Sequence, residues 1–399
     1  MKSDNTMDVF AKFDVPQEAL KGVDVDAESP DAKLNEKEHA LFNAASKGDL
    51  ETVQSILLSN DVDVLKKHNG MNPAHVACMK GHSEIVDFLL SNEVGQVGDF
   101  LDAKTDDEGK TLLILGCQEG HLNIVKMLVA ICAKTNIDSL WVEVGDNECG
   151  NNALHYSVWG GHMEVVKFLV EEVGMSCDTR NNEGRVAIDF AAAGDHLEVF
   201  EYLLPLISLP LQSIRSESGI TPLHRCAIHK EGLMSVMTVI LCRKLIDVNE
   251  TTSNGSTPLH LAVQHGHEAA VYLLIFYGAD VNKQNSVGFS ACHFAAMKGY
   301  ESILHLLVCY KADCNLRSVT GSTPVHCAAA NGKSEIIEYL FGKYKSKQFK
   351  LNVIFDARDN NGATPADEAL SSGYRELAER LDFMISSINS STTQSTEDI

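Results

Sequence analysis

Gly255-Ser-Thr-Pro-Leu-His260 decides the fold, because it returns as Gly219-Ile-Thr-Pro-Leu-His224 and as Gly321-Ser-Thr-Pro-Val-His326. Weaker copies begin at Gly70, Gly150 and Gly288, and copies without the histidine at Gly109, Gly184 and Gly362. From Gly70 onward the steps are 39, 41, 34, 35, 36, 33, 33 and 41 residues, and a degenerate first copy starts 33 residues earlier at Lys37. A second glycine stands eleven residues after the first at Gly81, Gly120, Gly161, Gly266, Gly299, Gly332 and Gly373, and at Gly48 in the first copy. Two marks held in phase over a few tens of residues identify an array of repeats.

Each mark has a mechanical reason. Thr257 can cap a helix, and Pro258, which needs no amide hydrogen and has its φ preset, suits the first turn. About two turns later the second glycine offers the left-handed conformation that stops the helix. Apolar pairs then return at helical spacing, as in Ile85-Val86 with Leu89-Leu90 and Ile303-Leu304 with Leu307-Val308, giving one buried stripe on a second helix. Small residues such as Ala295-Ala296 and Ala328-Ala329 let the first helices approach closely. Asp247-Val-Asn249, Gly278-Ala-Asp-Val-Asn282 and Ala312-Asp-Cys-Asn315 lead into the next copy, where Asn or Gly suits a tight turn with positive φ.

These residues resemble the ankyrin repeat, and the resemblance covers 35–382 as about ten copies. It implies an all-α repeat solenoid, with helix–turn–helix units joined by β-hairpin-like loops. One unit cannot bury its apolar face alone, so the copies must stack. The first copy lacks Thr-Pro, and the last, Thr364-Pro-Ala-Asp-Glu-Ala369 with Glu376-Leu-Ala-Glu-Arg380, is charged outside; both read as terminal caps. The fifth copy has Val186-Ala-Ile-Asp189 in place of the capped start, and the sixth carries two extra residues before Gly232, so a loosened middle is expected. Inserts fall at about 91–108, 131–149 and 342–361, the last with Lys343, Lys345, Lys347 and Lys350, and a shorter one lies around 204–217. Residues 1–34, acidic but for Val9, Phe10, Phe13 and Val15, and Ser/Thr-rich residues 383–399 read as disordered tails.

Thirty-three basic against fifty-five acidic residues give a formal charge of −22. That field argues against nucleic acid as a partner; it reads first as the solubility of a long thin array, with a preference for proteins with basic segments as the functional alternative. No apolar run approaches the ~20 residues of a spanning helix, and the polar start lacks a leader, so a soluble monomer in the cytoplasm or nucleus is expected. The eleven cysteines include no Cys-x-x-Cys pair, and Cys78, Cys117 and Cys226 read as reduced core residues.

Of sixteen histidines, His75, His155, His224, His260, His293 and His326 hold the fifth place after the first glycine, while His82, His121, His162, His196 and His267 follow or replace the turn. The family resemblance implies that the first set ties layers together by hydrogen bonds. His75-x-x-Cys78 and His224-x-Cys226 lack the further ligands a zinc site needs. With no phosphate loop and no nucleophile elbow, no catalytic site, metal or cofactor is expected. The resemblance implies binding on a concave face at the ninth and tenth places after the first glycine: Met79, Lys80, Gln118, Glu119, Trp159, Gln264, His265, Met297, Lys298 and Asn331. An adaptor, scaffold or inhibitor of other proteins is the leading reading, with a sensor of small ligands or oligonucleotides as the alternative.

Overall fold

The computed structural model describes residues 36–58, 62–91, 97–134, 143–229, 234–345 and 353–394. The acidic segment 1–34 lies outside them, as do Lys347, Lys350 and parts of three inserts. The described residues fold as an all-α repeat solenoid in which helices come in pairs, one pair per copy. In chain order these are α1 (Glu36–Lys47) with α2 (Leu50–Leu57), and α3 (Pro73–Lys80) with α4 (Ser83–Leu89). A short α5 (Val97–Asp102) follows, then α6 (Leu112–Gln118) with α7 (Leu122–Lys134), and α8 (Ala153–Trp159) with α9 (Met163–Lys167), which ends in a π-helical turn. Next come α10 (Ala187–Ala193) with α11 (Leu197–Leu203), α12 (Pro222–Ile228) with α13 (Ser235–Cys242), and α14 (Pro258–His265) with α15 (Glu268–Phe276). The last pairs are α16 (Ala291–Lys298) with α17 (Glu301–Cys309), α18 (Pro324–Ala330) with α19 (Ser334–Lys345), and α20 (Pro365–Ser371) with α21 (Arg375–Gln394). The chain divides into two compact units, Met1–Leu112 and Leu113–Ile399.

The two glycine marks act as their spacing requires. Thr257 caps α14 by accepting the His260 amide, Pro258 opens the helix, and Gly266 closes it in the left-handed region at φ 78. The first-mark Gly255 is also left-handed, at φ 76, and turns the loop into that cap. Small buried residues such as Ala295 and Ala296 lie where α16 packs between α14 and α18.

Within the C-terminal unit the loops are stitched by one backbone bond per copy. The amides of Asn182, Glu217, Ser253, Ser286, Val319 and Asn360 donate to the carbonyls of Cys149, Glu183, Ser218, Asn254, Val287 and Thr320, at 2.8–3.1 Å. This ladder runs unbroken through the fifth and sixth copies, where the sequence had suggested loosening. There Asp195 takes over a task the sequence did not reveal: its carboxylate caps α13 by accepting the amides of Ser235 at 3.0 Å and Val236 at 2.7 Å. A side-chain cap reaching in from the preceding copy anchors the helix that follows the two extra residues.

Several expectations change. The loops are hairpin-like in closure, as where Asn285 donates to Phe289 at 3.0 Å, but no strand forms among the described residues beyond one isolated bridge between His68 and Met71. Asn249, Asn282 and Asn315 are not turn residues of positive φ, a role Gly278 does fill at φ 93. Each asparagine instead accepts an amide of the next copy, from Asp280 at 2.8 Å, Asp313 at 2.7 Å and Ile354 at 2.9 Å. The 91–108 insert contains α5, whose Phe100 and Leu101 are buried, because two large apolar neighbours on one short helix gain more from the core than from solvent. The boundary at 383 falls inside α21, which continues to Gln394 and buries Met384 beside Leu377 and Leu381, a helical spacing that keeps the stripe running past 382.

Candidate partner-binding surface

A rigid frame comes first. In each regular copy the fifth-place histidine is buried and clamped at both ring nitrogens. Nδ1 of His75, His155, His224, His260, His293 and His326 accepts the amide of its own cap residue at 3.0–3.3 Å. The proton therefore sits on Nε2, which donates to loop carbonyls further along the chain, such as Ala103 at 3.2 Å, Thr179 at 3.1 Å and Lys283 at 3.0 Å. Burial pushes the imidazoles of His75, His155, His224, His260 and His293 down to about 4, and lowers His326 as well. A neutral ring satisfied on both sides is an interlayer strut, as the family resemblance implied.

The histidines after the turn reach backward. Nε2 of His82, His162, His196 and His267 donates to the carbonyls of Ser46, Gln118, Trp159 and Ile228 at 2.8–3.1 Å. These carbonyls end the preceding first helices, where no intrahelical donor remains. Each bond fixes the last turn of a first helix, and on α6 and α8 that turn carries the candidate contact residues Gln118 and Trp159.

The candidate contact residues lie at or just past the ends of first helices. In the N-terminal unit Met79 and Lys80 are the last two residues of α3, the first half-buried and the second exposed. In the C-terminal unit Gln118 ends α6 and donates to the exposed Glu119 at 3.0 Å. Gln264 and His265 end α14, Met297 and Lys298 end α16, and Asn331 caps α18, donating its side-chain amide to Cys327 at 2.8 Å. Since α14 packs on α16 and α16 on α18, this last group comes together on successive layers. Neither Lys80 nor Lys298 pairs with a carboxylate among the described residues.

Trp159 ends α8 and is only half exposed. Its ring meets Phe190 edge-on at 6.0 Å and His229 at 5.6 Å between centroids. Both partners were missed by the sequence reading. His229 occupies a tenth place, but in the irregular sixth copy, and Phe190 occupies a sixth place, where Leu261 and Phe294 are buried elsewhere.

The same two copies hold a polar defect. Asp189 replaces the histidine strut; one carboxylate oxygen accepts the Val186 amide at 3.1 Å, and the other is buried without a partner. Nε of Arg225 and of Arg185 is likewise buried and unpartnered. Burial raises the Asp189 carboxyl above the usual range and pushes the Arg225 guanidinium down to about 10.

Cys78 donates to the Leu112 carbonyl at 3.1 Å and Cys226 to that of Ala192 at 3.4 Å, while burial raises the Cys226 thiol far above its ordinary value. Among the described residues no three His, Cys, Asp or Glu side chains converge to hold a metal, and no helix is long and apolar enough to cross a membrane. None of the eleven cysteines forms a disulfide.

Comparison with known proteins agrees with this frame. The family description "Ankyrin repeats (3 copies)" matches residues 41–140, 132–212, 206–285 and 292–389, and "Ankyrin repeats (many copies)" matches 268–308. The chain is 29% identical over 243 residues to the Probable 26S proteasome regulatory subunit p28 of Saccharomyces cerevisiae, covering 60% of this chain and 86% of that protein. It is 26% identical to the Nuclear factor NF-kappa-B p105 subunit of Mus musculus, over 60% of this chain and 24% of that protein. To the Probable E3 ubiquitin-protein ligase XBOS32 of Oryza sativa it is 25% identical, over 60% of this chain and 38% of that protein. The chain thus spans well under two thirds of the length of the mouse and rice proteins, and the likeness to them lies in the repeats. With struts, glycine marks and matched segments running over most of its length, the chain belongs to the ankyrin-repeat family.

Proposed function

We propose that this chain is a protein-binding adaptor or scaffold that reads its partner with the exposed ends of its first helices. The single observation that carries this is the separation of frame from reader on α14, α16 and α18. Positions that face neighbouring helices are buried, while the helix ends carry the partly exposed Gln264, His265, Met297 and Asn331 and the exposed Lys298, different in type. A surface already held by histidine bonds loses little freedom on binding. Lys298, which pairs with no carboxylate among the described residues, suits an acidic side chain on the partner, and Met297 beside it suits an adaptable apolar one. The cluster of Trp159 with His229 offers an aromatic anchor of the kind that dominates interfaces. The yeast relative named as a regulatory subunit, of which the match covers 86%, supports a role as a part within a larger assembly.

Partners captured by proximity labelling provide the test, followed by affinity measurement with Met297→Ala, Lys298→Glu and Trp159→Ala. Each substitution is expected to weaken binding about tenfold, roughly 1.4 kcal/mol, with the circular dichroism spectrum unchanged. Equal affinity for wild type and all three variants would overturn the assigned surface.

A further inference from the structure

A second surface lies on the second helices, away from the helix ends described above. Helix α15, Glu-Ala-Ala-Val-Tyr-Leu-Leu-Ile-Phe, is apolar nearly all round, a pattern expected of a helix covered on every side. Its Ala270, Val271, Leu274 and Ile275 face the core, which leaves Tyr272 51% and Phe276 64% exposed. Their rings stack on each other at 6.4 Å and 21°. At the place of Tyr272 the neighbouring copies carry Glu201, Thr238, His305 and Glu338, all polar. Beside the pair lies a groove of about 460 Å³ lined by Met234, Glu268, Ala269, Tyr272, Leu273 and Leu306, so it crosses the ends or faces of α13, α15 and α17.

We propose that this groove docks an amphipathic helix of a partner protein, apolar at i, i+3, i+4 and i+7 and flanked by Lys or Arg. The lip decides the charge. Glu268 lies on it, Glu301 holds the equivalent place on α17, and both are exposed without a cationic partner among the described residues. A strand would find no backbone to pair with, since the helices satisfy their own amides and carbonyls; a helix needs only the apolar stripe. A second copy of a chain of net charge −22 would bring the same carboxylates against these. Three layers at ~10 Å spacing span about 20 Å, the length of a helix of about fourteen residues.

The probe is a synthetic fourteen-residue peptide with Leu at those positions and Lys at the others, compared by fluorescence anisotropy with a scrambled peptide and a Glu-for-Lys analogue. The full-length chain is expected to bind the Leu/Lys helix at least tenfold more tightly than either control. Tyr272→Glu/Phe276→Glu should abolish that preference, and Glu268→Lys/Glu301→Lys should shift it toward the Glu analogue. Tyr272→Gln/Phe276→Gln repeats the first test without added charge, and Met297→Ala should leave binding intact. Equal binding of the scrambled peptide, or unchanged affinity in both aromatic double variants, would overturn the proposal. So would a wild-type oligomer in light scattering that Tyr272→Glu dissolves, which would make a second copy the occupant.

Discussion

At the residue scale the strut histidines set a pH limit on the fold. The imidazoles of His75, His155, His224, His260 and His293 titrate near 6.5 in the unfolded chain and near 4 in the folded one, where burial keeps them neutral, and burial lowers His326 as well. Above 6.5 both states are neutral and stability is complete. Between 6.5 and 4 the unfolded chain binds more protons, so unfolding free energy falls as pH falls, by up to about 1.4 kcal/mol per pH unit for each imidazole. The melting temperature should therefore drop steeply from pH 7.5 to pH 5.5; a flat profile over that window would show that the rings are not held neutral. The defect at Asp189 and Arg225 points the other way. Replacing buried charges by residues that neighbouring copies use, in the double substitution Asp189→His with Arg225→Leu, should stabilise the chain by about 1–4 kcal/mol in urea unfolding. Arg225→Leu alone leaves the buried carboxylate without its nearby cation and should gain less.

At the element scale the helix–turn–helix unit depends on what the next copy brings to its turn. Gly161 has φ 71, and a Cβ there would lie 2.4 Å from Nδ1 of His196. Gly161→Ala should cost about 1–3 kcal/mol from the left-handed strain alone, and should also loosen the His196 bond to the Trp159 carbonyl, weakening partner binding with the helix itself intact. The asparagine bridges are gentler. Asn282→Ala removes two bonds linking two copies at an exposed loop, one accepted from the Asp313 amide at 2.7 Å and a longer one donated to the Lys311 carbonyl at 3.4 Å, and should cost about 1–2 kcal/mol in the same urea assay.

At the scale of the whole molecule, each copy is covered by its sequence neighbours, so stability is a sum of unit and interface contributions. The pair α20 and α21 buries Leu377, Ala378, Leu381 and Met384, with Glu376, Glu379 and Arg380 exposed. Within the C-terminal unit, amide hydrogen exchange should be slowest in α14, α16 and α18, which are covered on both sides, and fastest in α21. Uniform protection along the unit would contradict nearest-neighbour stacking. Deleting residues 356–399 should expose the apolar face that α18 turns to α20 and lower solubility, read by light scattering.

The sequence by itself determined where the first helices of the regular copies start and stop, because Thr-Pro and the two glycines act within about a dozen residues of one another. It also determined which residues are frame and which stand at the helix ends, since the place after the first glycine sets the facing of a side chain. Apart from the histidine struts, which the family resemblance implied, contacts between copies were decided only in the tertiary structure. Trp159 packs on Phe190 and His229, Asp195 caps a helix forty residues on, Asn282 bonds to the next loop, and α15 keeps Tyr272 and Phe276 outside. Such contacts depend on the lateral register of one layer on the next, and that register comes from the packing of whole helices, which no local signal encodes.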